Sequence, residues 1–402
     1  NNSVGRRRKI TVKKLYILTN STFPYGNANS NYIRYFALAL SEIGWNVIVI
    51  GSNMSGDSDV SGEYGGVEYR NIQFSRKKLP FHLKDHFAYG KKLRRVMDEL
   101  RIEEDAHVFV YSMYRDLVKT ALKKTKHLKA GHLSTAMVEW FQPYQYRFGK
   151  LNPDYLCWKY TFEHLITQFP KVFPISRKLQ EYYEDAGCKT MLLPIMADVN
   201  ANDFQLTDKK EGEPFHFIYP GDAGKKDSLD GMVFALDSLT DVELASVRFH
   251  FTILKKEALQ QYVEKGINVE RILSSMVFHG RLPYDDLLKL YSEMDFLFIA
   301  REKNIVTLSN FPSKIPELLC YGVIPVCSNV GDYADLYLTD RKDSIIFEGA
   351  DKAGCLEGIR RAIKMPTEKM YEMKRNARDC AEKKFDYHAW SRKIEKFFIK
   401  QI

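Results

Sequence analysis

The chain has no apolar run near the roughly 20 residues that a membrane-spanning helix requires, so no span is expected within its 402 residues. Residues 1–14 are basic and lead straight into the apolar stretch Lys14-Leu-Tyr-Ile-Leu18, without the apolar core of a signal peptide. Six cysteines (Cys157, Cys188, Cys320, Cys327, Cys355, Cys380) form no Cys-x-x-Cys pair and no short framework. They are expected to be reduced and buried, as in a cytoplasmic protein. Metal-ligand spacing is also missing. The one histidine pair at i, i+4, His82 and His86, has no third ligand nearby and reads as surface helix. There is no Walker phosphate loop, no internal repeat and no low-complexity tract. Aromatics are plentiful (24 Tyr, 25 Phe) but follow strand and core patterns. Nucleic acid is therefore not an expected partner.

Charge is present but uneven. Residues 1–200 hold 30 Lys/Arg against 19 Asp/Glu, while the remainder holds 30 against 32. Arg6-Arg7-Arg8-Lys9, Arg76-Lys77-Lys78 and the 91–95 cluster carry much of the excess. Each cluster alone reads equally well as a solvated face. Three in one half point to a shared basic face, suited to an anionic membrane surface or a lipid diphosphate.

A chain this long exceeds one ordinary core, so two domains are expected. Residues 14–18, a loop, a helical pattern over 31–43, Gly44 and residues 45–50 spell a βαβ unit, the start of a doubly wound sheet. Apolar runs at 107–111, 171–176 and 190–195 supply later strands. A polar stretch over 203–214 reads as a linker. Strands are then expected at 215–219, 247–254, 276–279, 296–299, 323–327 and 344–347, with helices between them and to the end. The fold class is thus α/β, with two Rossmann-like domains at 1–205 and 213–380 and a terminal helical segment at 381–402.

Three loops stand at carboxyl ends of strands, where open α/β sheets bind ligands. The first, Phe23-Pro-Tyr-Gly26-Asn27-Ala-Asn29-Ser30, lets backbone approach a ligand at Gly26, although a plain turn explains it equally. The second, Pro220-Gly221-Asp222-Ala-Gly224-Lys225-Lys226, offers glycines and lysines before a helix, a cradle for a diphosphate or simply solvated lysines. The third is Ser309-Asn310-Phe-Pro-Ser313-Lys314-Ile-Pro-Glu317, closed by Gly322 and followed by an apolar strand. Its helix start suits phosphate, and Glu317, a turn further in, can accept hydrogen bonds from a ribose. An ordinary capped helix with proline in its first turn explains the same residues.

The three loops in this order across two α/β domains resemble the GT-B glycosyltransferases, nearest the retaining family 4 enzymes of bacterial cell-surface polysaccharide type. Residues 15–50 look like their first βαβ unit. Residues 219–236 look like the opening of their donor domain, 277–300 like their base and sugar pocket, and 310–335 like a variant of their donor signature. The likeness thins over 52–105 and 140–165. It implies two domains facing a cleft, the terminal helix returning to the first domain, and a retaining, metal-independent hexosyltransferase. Such an enzyme moves a sugar from a nucleotide-diphosphate sugar to a glycan or lipid-linked acceptor, in the cytoplasm or peripherally at the inner membrane face. Glu317 corresponds to the second acid of the family's paired-acid signature, while Ser309 stands where the first acid belongs. Lys226 matches the lysine that meets the donor diphosphate, and Asp222 replaces the usual arginine.

Glu317 and Lys226 are thus assigned to catalysis, and with them His132, which such a fold would turn to the cleft together with Glu139, although a core or surface role explains either residue equally well. Donor binding falls to Gly221, Lys225, Lys226, Ser309, Asn310, Ser313, Lys314, Glu317 and His279. Gly26, Asn27, Asn29 and Glu139 are placed on the acceptor side of the cleft. No metal or cofactor is expected, and the triplet Asp57-Ser58-Asp59 lies in the wrong domain for a donor metal. The alternatives are an inactive nucleotide-sugar-binding scaffold, suggested by Ser309 and Asp222, and a nucleotide-sugar epimerase on the same fold.

Overall fold

The computed structural model describes residues 12–53, 59–73, 83–201, 204–206, 209, 212–220 and 226–400. Thus Arg6 to Lys9, Asp57, Ser58, Arg76 to Lys78, His82, the side chain of His86 and residues 221–225 lie outside the described residues.

The first domain is built on eight strands: β1 (Lys14–Thr19), β2 (Asn46–Asn53), β3 (Val60–Tyr64), β4 (Val67–Gln73), β5 (His107–Tyr111), β6 (Leu133–Met137), β7 (Lys171–Pro174) and β8 (Lys189–Thr190). Its helices are α1 (Ala28–Ser41), α2 (Leu83–Leu100), α3 (Arg115–Lys124), α4 (Pro153–Tyr160) and α5 (Arg177–Asp185). Their sheet runs β3-β4-β2-β1-β5-β6-β7-β8 and is parallel except for the β3–β4 hairpin at its edge. Parallel strands covered on both faces need continuous apolar runs. Leu15 to Leu18 and Val108 to Val110 supply them and are fully buried.

The second domain has six parallel strands, β9 (Phe215–Tyr219), β10 (Val247–Phe251), β11 (Met276–Phe278), β12 (Phe296–Ile299), β13 (Ile324–Ser328) and β14 (Ile345–Phe347). Between and after them lie α6 (Leu229–Asp237), α7 (Asp241–Ala245), α8 (Val269–Leu273), α9 (Tyr284–Ser292), α10 (Ile305–Leu308), α11 (Lys314–Leu319), α12 (Lys352–Ile363), α13 (Thr367–Cys380) and α14 (Tyr387–Ile399). The order β11-β10-β9-β12-β13-β14 is the doubly wound pattern whose direction reverses between β9 and β12. In the first sheet the reversal lies between β1 and β5. Both reversals open crevices at the carboxyl ends of their strands, and these crevices face each other.

After α13 the chain returns to the first domain. Tyr387, Ile394 and Phe398 of α14 are buried in one apolar cluster with Phe36, Trp45 and Phe173. The buried Lys171 ammonium donates to the carbonyl oxygens of Phe398 (2.6 Å) and Lys400 (2.9 Å), satisfying groups left open at a helix end. Glu395 accepts from Lys13 (2.8 Å) and from the Trp45 indole (3.1 Å). Within the 203–214 stretch, Phe204 packs where a Cβ on Gly322 would stand, and Lys209 pairs with the buried Asp295 at 2.7 Å. No helix among the described residues is long and apolar enough to cross a membrane.

Candidate active site between the domains

The short helix α11 sets one wall of the cleft. Its first turn holds Lys314 and Pro316, and Ser313 precedes it without a side-chain cap, leaving its hydroxyl for other partners. Lys314 and Glu317 pair at 2.8 Å, as residues i and i+3 do on one helix face. The helix stops because Gly322 adopts φ +67°, and any Cβ there meets the Phe204 ring at 2.4 Å. Ile324 then enters β13 beside β12.

Three cavities meet around Ser313, which lines all of them. The largest, about 650 Å³, lies between the domains; Gly26, Asn27 and Arg34 face Tyr284, Lys314 and Glu317 across it. A second, about 240 Å³, is bounded by Pro220, Asp227, Arg301 and Lys314. A third, about 320 Å³, is bounded by Asn29, Tyr111, Glu139, Lys226, Arg301 and Asn310. Between them these cavities have room for a base, a diphosphate and a sugar, the size expected of small-molecule sites.

A chain of charged contacts links the walls. Lys226 in the second domain meets Glu139 of the first at 2.5 Å. The same Glu139 oxygen accepts from the Asn310 amide at 3.2 Å. Asn310 in turn accepts from Arg301 at 2.9 Å, and Arg301 pairs with Asp227 at 2.5 Å. Arg301, only 6 % exposed, lies two residues past the end of β12 at the reversal of the second sheet. Its backbone N–H donates to the Ser328 hydroxyl at 2.8 Å, which fixes the start of its side chain. This guanidinium was not singled out in the sequence. The signal available was a lone basic residue shortly after a buried strand at a switch point. It supplies a buried positive charge at the edge of the second and third cavities.

On the first-domain side, Asn27 caps α1, accepting from the N–H groups of Asn29 (3.0 Å) and Ser30 (3.3 Å). Asn29 accepts from the Tyr111 hydroxyl at 3.0 Å. Gly26 is tight, since a Cβ would meet the Ser30 hydroxyl at 2.4 Å. Arg34 donates to the Tyr35 hydroxyl at 3.1 Å and lies 5.0 Å from the Tyr25 ring centroid.

Three assigned residues lie elsewhere. His132 precedes β6 and so stands at the amino end of the strand, whereas the cleft lies at the carboxyl ends. Its ring stacks on His107 at 3.9 Å and contacts the Ala106 carbonyl at 3.2 Å. Glu139, seven residues further along, is the residue that β6 delivers to the cleft. His279 follows the edge strand β11, two strands from the switch point, and its ring is committed to His250 at 2.9 Å. Burial holds the His279 imidazole below its ordinary pKa. Ser309 ends α10 with 0 % exposure and its hydroxyl unbonded, lining none of the three cavities. Gly221 and Lys225 fall outside the described residues. Asp59, the describable part of the Asp-Ser-Asp triplet, pairs with Arg70 at 2.9 Å on the edge of the first sheet.

Comparison with known proteins agrees with this architecture. Residues 202–380 match the sequence model of the family described as glycosyl transferases group 1. No curated protein matches in sequence. Among solved structures, sucrose-phosphate synthase from Thermosynechococcus elongatus is similar with a TM-score of 0.69 at 12 % identity, covering 96 % of this chain and 98 % of that one. A glycosyltransferase from Rickettsia africae gives 0.64 at 14 %, covering 96 % and 98 %. Anabaena Alr3699/HepE, solved with UDP-glucose, gives 0.64 at 13 %, covering 95 % and 98 %. At these identities the structures speak for the fold. The chain therefore has the GT-B fold, and residues 202–380, which include its second sheet, match the model of the glycosyl transferases group 1 family.

Proposed function

We propose that the protein is a retaining glycosyltransferase of family 4 type, moving a hexose from a nucleotide-diphosphate sugar to a glycan or lipid-linked acceptor in cell-surface polysaccharide or glycoconjugate synthesis. The observation that carries this reading is the convergence of Lys226, Arg301, Lys314 and Glu317 on adjoining cavities between the domains. As the glycosidic bond breaks, negative charge builds on the leaving diphosphate, and preorganised cations stabilise it most where water is excluded. Three side-chain cations beside the start of α11 supply that stabilisation, the basis for reading the reaction as metal-independent. Glu317 accepts hydrogen bonds from the donor ribose.

Glu139 has a part that follows from its present partner. While no donor is bound it neutralises Lys226. A diphosphate takes over as counter-charge, which frees the carboxylate to hold sugar hydroxyls on the donor or acceptor. UDP is the first nucleotide to try, because Alr3699/HepE was solved with UDP-glucose and with UDP. The basic first domain is read as the side that approaches an anionic membrane at its cytoplasmic face.

The test is turnover: a panel of nucleotide sugars with glycan and lipid-diphosphate acceptors, read as free nucleoside diphosphate. Acceptor-dependent release supports the reading. Donor binding with no release across the panel contradicts it and favours a binding protein.

A further inference from the structure

The segment after Glu139 has a composition that the cleft does not explain. Residues 141–160 hold three basic side chains, Arg147, Lys150 and Lys159, against one acidic, Asp154. Interleaved with them are large apolar groups left in solvent: Leu151 is 82 % exposed, Tyr144 61 % and Phe148 60 %, and Leu156 and Tyr160 are exposed as well. Isolated exposed apolar residues are ordinary, but several on one short segment mark an interaction surface.

The segment is built to present these groups. Phe148 adopts φ +70°, a conformation that a bulky residue takes only when its surroundings impose it. Asn152 imposes it from both sides. Its amide donates to the Arg147 carbonyl at 2.8 Å, while its oxygen accepts from the N–H groups of Asp154 (2.8 Å) and Tyr155 (3.2 Å) at the start of α4. The patch continues onto α2. Arg115 sits between the rings of Phe87 and Tyr160, 5.2 and 5.0 Å from their centroids. Phe87 is exposed, and Lys91, Arg94 and Arg95 follow it at i+4, i+7 and i+8 on one helical stripe, all exposed. Acidic groups on this face are outnumbered: Asp116, beside Arg115, accepts from the Gly90 N–H of α2, and Asp98, further along the stripe, pairs with Lys124. Glu163 faces Lys159 at 3.8 Å, and Asp154 lies in the first turn of α4.

Aromatic and aliphatic tips alternating with Lys and Arg suit the boundary of a bilayer, where the apolar parts enter the headgroup layer and the cations meet anionic lipid. We propose that this face, formed by residues 143–160 and the Phe87 stripe of α2, docks on an anionic lipid bilayer. The inference rests on the lipid-linked reading of the acceptor and gives it a place. Phe141 is 5.9 Å from the Lys226 ammonium, so the docking segment begins at the cleft and sets its mouth toward the membrane.

The test is sedimentation of the full chain with vesicles of equal parts phosphatidylglycerol and phosphatidylcholine, against phosphatidylcholine alone. Binding to the anionic vesicles is expected, falling with added salt. The triple variant Tyr144→Ser, Phe148→Ser, Leu151→Ser is expected to lose roughly tenfold or more of that binding. Arg147→Glu with Lys150→Glu is expected to lose roughly fivefold or more per residue. Both variants change exposed positions, so they keep the wild-type melting point and its rise with nucleotide. Wild-type protein that ignores anionic vesicles overturns membrane docking altogether. Triple-variant binding equal to wild type overturns this surface alone, as does a triple variant that turns a wild-type dimer into a monomer. Nucleotide release, measured separately with a soluble glycan acceptor, reports on the transferase reading whichever way the vesicles respond.

Discussion

The Lys226 ammonium and the Glu139 carboxylate form an ion pair that joins the two domains across the cleft. Neither side chain is deeply buried, and Asn310 shares the same carboxylate oxygen. The pair is therefore exchangeable, and under the proposed function a diphosphate entering the third cavity competes with Glu139 for Lys226.

Glu139→Gln removes that competition while keeping the shape of the side chain. Nucleoside diphosphate is expected to bind roughly fivefold tighter or more, a change of about 1 kcal/mol for a partly exposed charge pair. Turnover is expected to fall, since the carboxylate is lost to the sugar hydroxyls. Isothermal titration beside a release assay reads both, and weaker nucleotide binding contradicts the exchange.

Arg301 is expected to be needed for both fold and reaction. Arg301→Met leaves Asp227 without this partner, with a stability cost on the order of 3 kcal/mol, and removes the cation that the proposed function sets against the donor phosphates. Arg301→Lys keeps the charge but not the forked contacts to Asp227 and Asn310. It is expected to fold, with kcat/KM reduced roughly a hundredfold, about 2.7 kcal/mol of transition-state stabilisation. Near-normal kcat/KM in a folded Arg301→Lys enzyme removes Arg301 from the site.

Glu317→Ala and His132→Phe are expected to differ. The first deletes the carboxylate that the proposed function sets against the donor ribose and is expected to raise the donor KM roughly tenfold or more, with the melting point little changed. The second keeps a ring stacked on His107 at the far end of β6 and leaves kcat and KM within about twofold of wild type. Steady-state kinetics on the two variants separate the ends of the strand.

The docking of α14 predicts a pH dependence. Burial works against ionisation of Glu395, yet Lys13, Arg392 and the Trp45 indole hold its carboxyl down at about 2. A carboxyl depressed below its unfolded value near 4.5 contributes stability above that pH and loses it as pH falls toward 2. Glu395→Gln is therefore expected to be less stable at neutral pH, by about 1 to 2 kcal/mol after allowance for solvent screening. The gap to wild type is expected to close between about pH 4.5 and 2. Denaturant unfolding of both proteins across that range measures it, and a gap that stays constant contradicts the assignment.

Much of this was legible in sequence because parallel strands announce themselves as apolar runs. Lys14 to Leu18, Trp45 to Ile50 and each strand run of the second domain coincide with strands of the structure. The β3–β4 hairpin was missed because β3 is almost wholly exposed and carries no apolar alternation. β6 was obscured by Ser134 and Thr135, which are buried only because their hydroxyls donate to the carbonyls of Val108 and Val110. Without that strand, His132 and Glu139 can both be set at the cleft, although roughly 20 Å of extended chain separates them. Arg301 escaped notice for a different reason. A single arginine carries no spacing, and its meaning comes from the switch point and from Asp227 and Asn310, which only the folded chain brings beside it.

The most direct test of the central claim is a melting scan with UDP, GDP, ADP, dTDP and CMP, on wild type and on Lys226→Ala and Glu317→Ala. A ligand at a hundred times its dissociation constant adds about 2.7 kcal/mol to the folded state, a rise of several degrees. At least one nucleoside diphosphate is predicted to raise the wild-type midpoint by that much, with most of the rise lost in both variants. No rise with any nucleotide, or a full rise in both variants, contradicts the placement of the donor between Lys226 and Glu317.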